Sequence, residues 1–247
     1  MFFIICPLLF LAGFVDSIGG GGGLISLPAY IIAGLPVHNA IATNKLSSAC
    51  GTTLSTIRFI KNGLVNFKLA VPSIAAAILG SSIGAHLSMQ TDEKIMNYIL
   101  FIVLPVTALI VLNRKLFCDN ENNTLVLNTR TYLIVTISAF VIGMYDGFYG
   151  PGTGTFLIIA FTVLAKMNIS NANAQCKVIN LTTNITSLTI FLLNGQCYLL
   201  LGLVGAVCNM AGNYVGSGLV MTKGSKITKP IIIFVLFLLF LKILGII

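Results

Sequence analysis

Four ionisable residues stand where an apolar chain can least accommodate them. Lys45 and Lys177 lie inside uncharged runs, in Ala42-Thr43-Asn44-Lys45-Leu46-Ser47-Ser48 and Ala174-Gln175-Cys176-Lys177-Val178-Ile179-Asn180. Asp16 and Asp146 each open a glycine-rich stretch, Asp16-Ser17-Ile18 followed by Gly19 to Gly23, and Asp146-Gly147-Phe148-Tyr149-Gly150-Pro151-Gly152-Thr153-Gly154. A charge inside a bilayer costs about 2.5–3.5 kcal/mol on insertion scales, so such a residue has a partner or a task. Glycine leaves backbone N–H groups unshielded, and where a helix begins these groups and the positive helix end favour an anion. Lysine charge beside such loops is chemistry suited to holding a small anion.

Steps of three and four from Lys45 place Ser48, Thr52 and Ser55 on one helical face, and the same steps from Lys177 place Asn180, Asn184 and Ser187. Two polar stripes, each headed by a lysine, could line one aqueous cavity. The plainer alternatives are glycines that only allow close helix packing and lysines that snorkel to an interface or pair with an aspartate. The occurrence of both features together, twice, favours the anion site. The candidate substrate-binding residues are Gly20, Gly21, Gly22, Gly23, Asn44, Lys45, Ser48, Gly150, Gly152, Thr153, Gly154, Lys177, Asn180 and Asn184. Asp16 and Asp146 could neutralise the lysines, hold the loops by accepting backbone N–H bonds, or carry a proton. A carboxylate beside an ammonium resists protonation until its partner moves, which favours a structural role over proton coupling.

Composition sets the medium in which these residues sit. The chain of 247 residues is 57% hydrophobic and 8% charged, with a mean hydropathy of +1.00, which is incompatible with the polar shell of a soluble domain. Apolar runs such as 95–112 and 231–241 point to a polytopic, all-α membrane protein. The net charge of +8 lies in single residues and small groups beside apolar runs, so loop placement explains it better than nucleic-acid binding. The six cysteines show no metal or disulfide spacing, and no cofactor or metal is expected. No Gly-Lys-Ser/Thr follows the glycines, which argues against a nucleotide loop.

Ten apolar elements can be read, at 1–17, 23–34, 39–60, 68–89, 94–113, 131–148, 153–167, 171–193, 198–221 and 229–247. A first repeat, 1–113, is joined by the polar linker 114–130 to a second, 131–247. Asp16, Gly20 and Gly22 recur 130 residues later as Asp146, Gly150 and Gly152. Ala40, Ala42, Lys45, Gly63, Gly80 and Gly84 recur 132 residues later as Ala172, Ala174, Lys177, Gly195, Gly212 and Gly216. In the first half the basic residues Arg58, Lys61 and Lys68 flank the loop between the third and fourth elements. In the second half Lys223, Lys226 and Lys229 come one loop later, and the linker adds Arg114, Lys115 and Arg130. If basic loops and linker are cytoplasmic, the halves are inverted repeats of about five helical elements each, and both chain ends face outward. The elements at 23–34 and 153–167 are too short to span, so half-helices entered through the glycine loops are expected near the bilayer midplane. Gly80/Gly84 and Gly212/Gly216 read as helix-packing faces within the fold or at a dimer seam, and His38 and His86 as interfacial residues.

At these motifs the chain resembles the TauE/SafE (sulfite exporter, TSUP) family of membrane transporters. The likeness rests on Ala12-Gly13-Phe14-Val15-Asp16 with the glycine run, Leu24-Ile25-Ser26-Leu27-Pro28, Ala42-Thr43-Asn44-Lys45-Leu46, and Gly143 to Gly154 followed by Lys177. It implies a multi-pass secondary transporter of the bacterial cytoplasmic membrane, an exporter of small anions such as sulfite, sulfonates or related organic acids. It supports Asp16, Asn44, Lys45, Asp146 and Lys177 as motif residues, although Cys176 stands where a second asparagine would be. Lipid, the anion, a coupling proton or sodium ion and a second copy in a homodimer are the expected partners. An anion channel is the nearest rival, separable by saturable, counter-ion-coupled flux. A non-transporting assembly subunit would tolerate loss of both lysines. An intramembrane aspartyl protease shares only Tyr145-Asp146, lacks the second half of its signature, and is set aside; no enzymatic activity is expected.

Overall fold

A computed structural model describes residues 2–96, 98, 127–223, 226–228, 230 and 231. The apolar runs at 94–113 and 229–247 and the linker at 114–130 fall largely outside the described residues. The rest is helical, with no strand among the described residues: α1 (Phe2–Gly19), α2 (Gly23–Ile32), α3 (Val37–Lys61), α4 (Phe67–Gln90), α5 (Thr129–Phe148), α6 (Thr153–Val163), α7 (Ile169–Leu193) and α8 (Leu199–Lys223).

Local chemistry explains where these helices start. Three Asn side chains cap the N-termini of α4, α5 and α7. Asn66, Asn128 and Asn168 accept the backbone N–H of Leu69, Thr131 and Asn171 at 3.2, 2.8 and 2.8 Å, satisfying donors the helix itself leaves free. The caps precede the apolar runs, so these helices begin one or two residues before the hydropathy suggests. In contrast, α2 and α6 have glycine at the cap, Gly22 and Gly152, with no side-chain cap bond. They span 10 and 11 residues, about 15–17 Å at ~1.5 Å per residue, roughly half the ~30 Å hydrocarbon core. They close early because the chain turns through positive φ after each, at Gly34 (φ 89°) and at Lys166 (φ 53°), positions 132 apart.

Polarity is arranged inside out relative to a soluble protein. Leu133, Ile137 and Val141 on α5, Val71 and Leu79 on α4, and Leu203 and Val207 on α8 are exposed, forming an apolar outer surface. Ser17, Lys45, Thr52, Asn173, Lys177, Thr183 and Asn213 are almost fully buried. Helices α4, α5, α7 and α8 are long and apolar enough to cross a membrane. Together these features make the chain an all-α polytopic membrane protein.

Helix α4 packs on α5 and α7, α1 on α8, and α3 on α7 and α8. Exchanging α1–α4 with α5–α8 maps this pattern onto itself. Glycines set the seams. A Cβ on Gly80 or Gly84 would overlap the carbonyl of Phe140 or Met144 in α5, and one on Gly212 or Gly216 would meet the backbone of Phe10 or Phe14 in α1. These faces therefore serve packing within the fold. Gly84→Ala is expected to destabilise the protein by about 1–3 kcal/mol, because the obstructing atom is backbone and cannot swing aside. An unchanged melting temperature in detergent would contradict this.

Candidate functional site

The site begins where the two glycine loops meet. Gly20 turns through φ 74°, Gly150 through 99° and Gly152 through 85°, the left-handed region that costs other L-residues energy. A Cβ on Gly20 would penetrate the backbone of Gly154, one on Gly154 would penetrate Gly20, and one on Gly23 would lie 3.1 Å from Pro151 Cα. Thr155 Oγ1 ties the loops by donating to the Gly19 carbonyl at 2.7 Å. The N-terminal ends of α2 and α6 thereby converge, without side-chain caps, on one region.

Helices α3 and α7 bring the lysines there, and the pairing crosses between the halves. Lys45 Nζ lies 2.9 Å from Asp146 Oδ2, and Lys177 Nζ lies 2.8 Å from Asp16 Oδ2. Each lysine thus takes its counter-charge from the aspartate of the other half. Both lysines are at most 2% exposed, so pairing offsets the cost of burying charge. Neither carboxylate accepts a backbone N–H bond among the described residues; both are used on lysine.

The two pairs differ in detail. Lys177 donates to both the Oδ2 and the main-chain carbonyl of Asp16. Asp146 Oδ2, by contrast, has no partner in hydrogen-bond geometry, although it is buried and close to Lys45. A side chain at Gly150 would lie 3.0 Å from Lys45 Nζ and 3.1 Å from Asp146 Oδ1, so glycine there keeps the pair uncrowded.

Beside Lys45 lies a small cavity of about 20 Å³, lined by Asp16, Gly20, Gly23, Asn44, Lys45, Ser48, Asp146, Gly150, Thr153, Gly154, Asn180 and Asn184. All twelve are among the residues singled out from sequence. Four other candidates do not line it. Lys177 is turned to Asp16. Gly22 backs onto the Asp16 Cβ, Gly21 offers its carbonyl to Leu24, and Gly152 is the left-handed cap of α6. Of the two polar stripes, Ser48, Asn180 and Asn184 face the cavity, and Asn184 donates to Asn180 Oδ1 at 3.0 Å. Ser55 and Ser187 are buried outside it and donate to main-chain carbonyls of their own helices.

Several supporting residues escaped the sequence reading. Asn173 donates to the carbonyls of Ser17 and Ile18, both at 3.1 Å, holding the end of α1 where the first loop departs. Its counterpart in the first half is Ile41, so the repeat gave no signal; an asparagine within a buried apolar helix was the only one available. Cys176 Sγ donates to the Gly154 carbonyl at 3.3 Å, so the residue in the place of a second asparagine braces the second loop. Thr56 Oγ1 donates to the Lys177 carbonyl at 3.2 Å, joining α3 to α7.

A buried, ion-paired polar centre between converging half-helices, inside a bundle with an apolar exterior, defines a membrane transport protein by its class of fold and site. Comparison with known proteins agrees. The family model described as sulfite exporter TauE/SafE matches residues 5–243, and the chain belongs to this family of membrane transporters. It is 36% identical over 244 residues to the "Probable membrane transporter protein YfcA" of Escherichia coli K12, covering 94% of this chain and 88% of that protein. It is 34% identical over 237 residues to the "Probable membrane transporter protein ORF9" of a Sinorhizobium species, covering 96% and 89%. A "Probable membrane transporter protein" of Haemophilus influenzae is 34% identical over 236 residues, covering 94% and 90%. No solved structure matches the chain.

Proposed function

We propose that this membrane transporter moves small, sulfur-containing anions such as sulfite or a sulfonate, as an exporter in a bacterial cytoplasmic membrane. The carrying observation is a lysine ammonium, Lys45, almost fully buried yet lining a cavity with Asn44, Ser48, Asn180 and Asn184 beside two uncapped half-helices. Such a set supplies an ammonium, side-chain N–H donors and the positive ends of two helices, the groups that hold a small anion. The substrate would sit near the midplane between the glycine loops, and alternating access would come from one half rocking against an inverted other half. The helix contacts that map onto themselves on exchange of the halves support this reading. The family name supports sulfite-like chemistry for the anion.

The test is thermal stabilisation of the purified protein by sulfite, thiosulfate, methanesulfonate, short carboxylates and thiol acids. One class of anion is expected to raise the melting temperature, and the shift is expected to vanish in a Lys45→Ala/Asp146→Asn double variant, which removes the pair without leaving a lone charge. No shift with any of these anions would sink the proposal.

A further inference from the structure

We propose that the two ion pairs do different work: Lys45–Asp146 is an exchangeable pair in which the Asp146 carboxylate occupies the anion's place, and Lys177–Asp16 is a fixed clasp between the halves. This rests on the anion-transport reading and adds to it which lysine binds and what the anion displaces.

The asymmetry is geometric. An ammonium has three hydrogens to donate. Lys177 commits two of them to Asp16, one to the carboxylate and one to the main chain, and it does not line the cavity. Lys45 lines the cavity and meets a single carboxylate oxygen, Asp146 Oδ2, which no donor engages in hydrogen-bond geometry. A carboxylate held through one 2.9 Å contact, against an ammonium that has no second acceptor among the described residues, is the more easily replaced ligand. The surroundings differ in the same sense. On the Lys45 helix, Asn44 and Ser48 turn polar groups to the cavity. At the position matching Asn44, Cys176 instead spends its thiol on the Gly154 carbonyl. Asn180 and Asn184 of the Lys177 helix also border the cavity, but the one ammonium facing it is that of Lys45: an oxyanion oxygen takes the position of Asp146 Oδ2 on Lys45.

Exchange changes the charge balance. Before it, Lys45 and Asp146 sum to zero. An entering monovalent anion leaves one positive charge facing two negative ones in a low-dielectric site. Asp16 lies across the same cavity with its own charge already met by Lys177. Near Asp146 are also Cys176 on α7 and Tyr145 and Tyr149 on its own segment, none of which supplies a positive charge. Helix α6 contributes no titratable side chain, and Lys68 and His86 on α4 are exposed. Neutrality is restored when the released Asp146 carboxylate takes one proton from the side from which the anion came. Anion and proton then cross together, one for one, with no other reactant consumed.

The experiment measures methanesulfonate binding to the full-length protein in detergent as a function of pH, because this anion does not itself titrate near neutrality. Wild-type affinity is expected to rise roughly tenfold per pH unit of acidification while Asp146 remains ionised, the slope for one bound proton. Asp146→Asn is expected to bind at least as tightly at the alkaline end and to lose the slope. Lys177→Met/Asp16→Asn, which removes both charges of the second pair and so leaves the charge balance at Lys45–Asp146 unaltered, is expected to lower the melting temperature while the slope persists. Retention of the slope in Asp146→Asn, or its loss in the Lys177→Met/Asp16→Asn double variant alone, would overturn the assignment. Should that double variant fail to fold, wild type and Asp146→Asn still decide the matter. Wild-type binding without pH dependence would remove this inference and leave the anion reading standing. If no anion of the wider panel stabilises the wild type, both fall together.

Discussion

Lys177→Ala is expected to lower stability by about 3–5 kcal/mol, the cost of leaving a buried carboxylate without its partner. Lys177 has no measurable exposure, and Asp16 is 8% exposed, so water reaches the orphaned carboxylate only through the small cavity it borders. The main-chain carbonyl of Asp16 loses a donor in the same substitution, and that carbonyl stands at the end of α1 where the first glycine loop departs. A double variant, Lys177→Met/Asp16→Asn, is expected to recover much of the loss, because two neutral groups of similar shape replace the pair. The double-mutant cycle, read from unfolding in detergent, should therefore show a coupling well above the few tenths expected of independent sites. Additive losses would mean that the two residues do not act as a pair. The same pair joins Asp16 on α1 to Lys177 on α7, so its rupture should loosen one half from the other rather than unravel one helix.

Gly20→Ala carries the second large effect. The residue has φ 74°, which costs a non-glycine residue about 1–2 kcal/mol, and its new Cβ would run into the backbone of Gly154. Gly34 provides the internal control. It has φ 89°, and nothing lies within 4 Å of the position its Cβ would take. Gly34→Ala should therefore show the conformational cost alone, and Gly20→Ala that cost plus the collision of two loops that cannot yield separately. Melting temperatures of the two variants decide this: a clearly larger drop for Gly20→Ala is expected, and equal drops would mean that the loop contact is not constraining. Loss of anion binding should accompany Gly20→Ala, because Gly20, Gly23, Gly150 and Gly154 all border the cavity.

Much of the architecture was legible in the sequence for identifiable reasons. Charge is so costly in an apolar chain that Lys45, Lys177, Asp16 and Asp146 stood out without any knowledge of their contacts. The half-length of α2 and α6 followed from the shortness of their apolar runs between glycines. The helix-packing use of Gly80, Gly84, Gly212 and Gly216 followed from their four-residue spacing. The start of α5 at Thr129 was less visible, because a polar cap such as Asn128 has no hydropathy signature.

What the sequence by itself determined is the membrane setting, the duplicated glycine loops and the set of polar residues available for a site; each depends on composition or on local spacing. What only the tertiary structure decided is the partnership. The two halves carry the same acid and the same lysine, so nothing along the chain distinguishes pairing within a half from pairing across halves. Crossed pairing emerges because α1 lies on α8 and α5 on α4, with α3 and α7 between them, which carries each aspartate to the lysine of the other half. The difference between the pairs is finer still. Lys177 also reaches the main chain of Asp16, and Lys45 borders the small cavity. Hydrogen-bond geometry of that kind depends on side-chain directions set by packing to within about an ångström, and repeated residue types do not encode it.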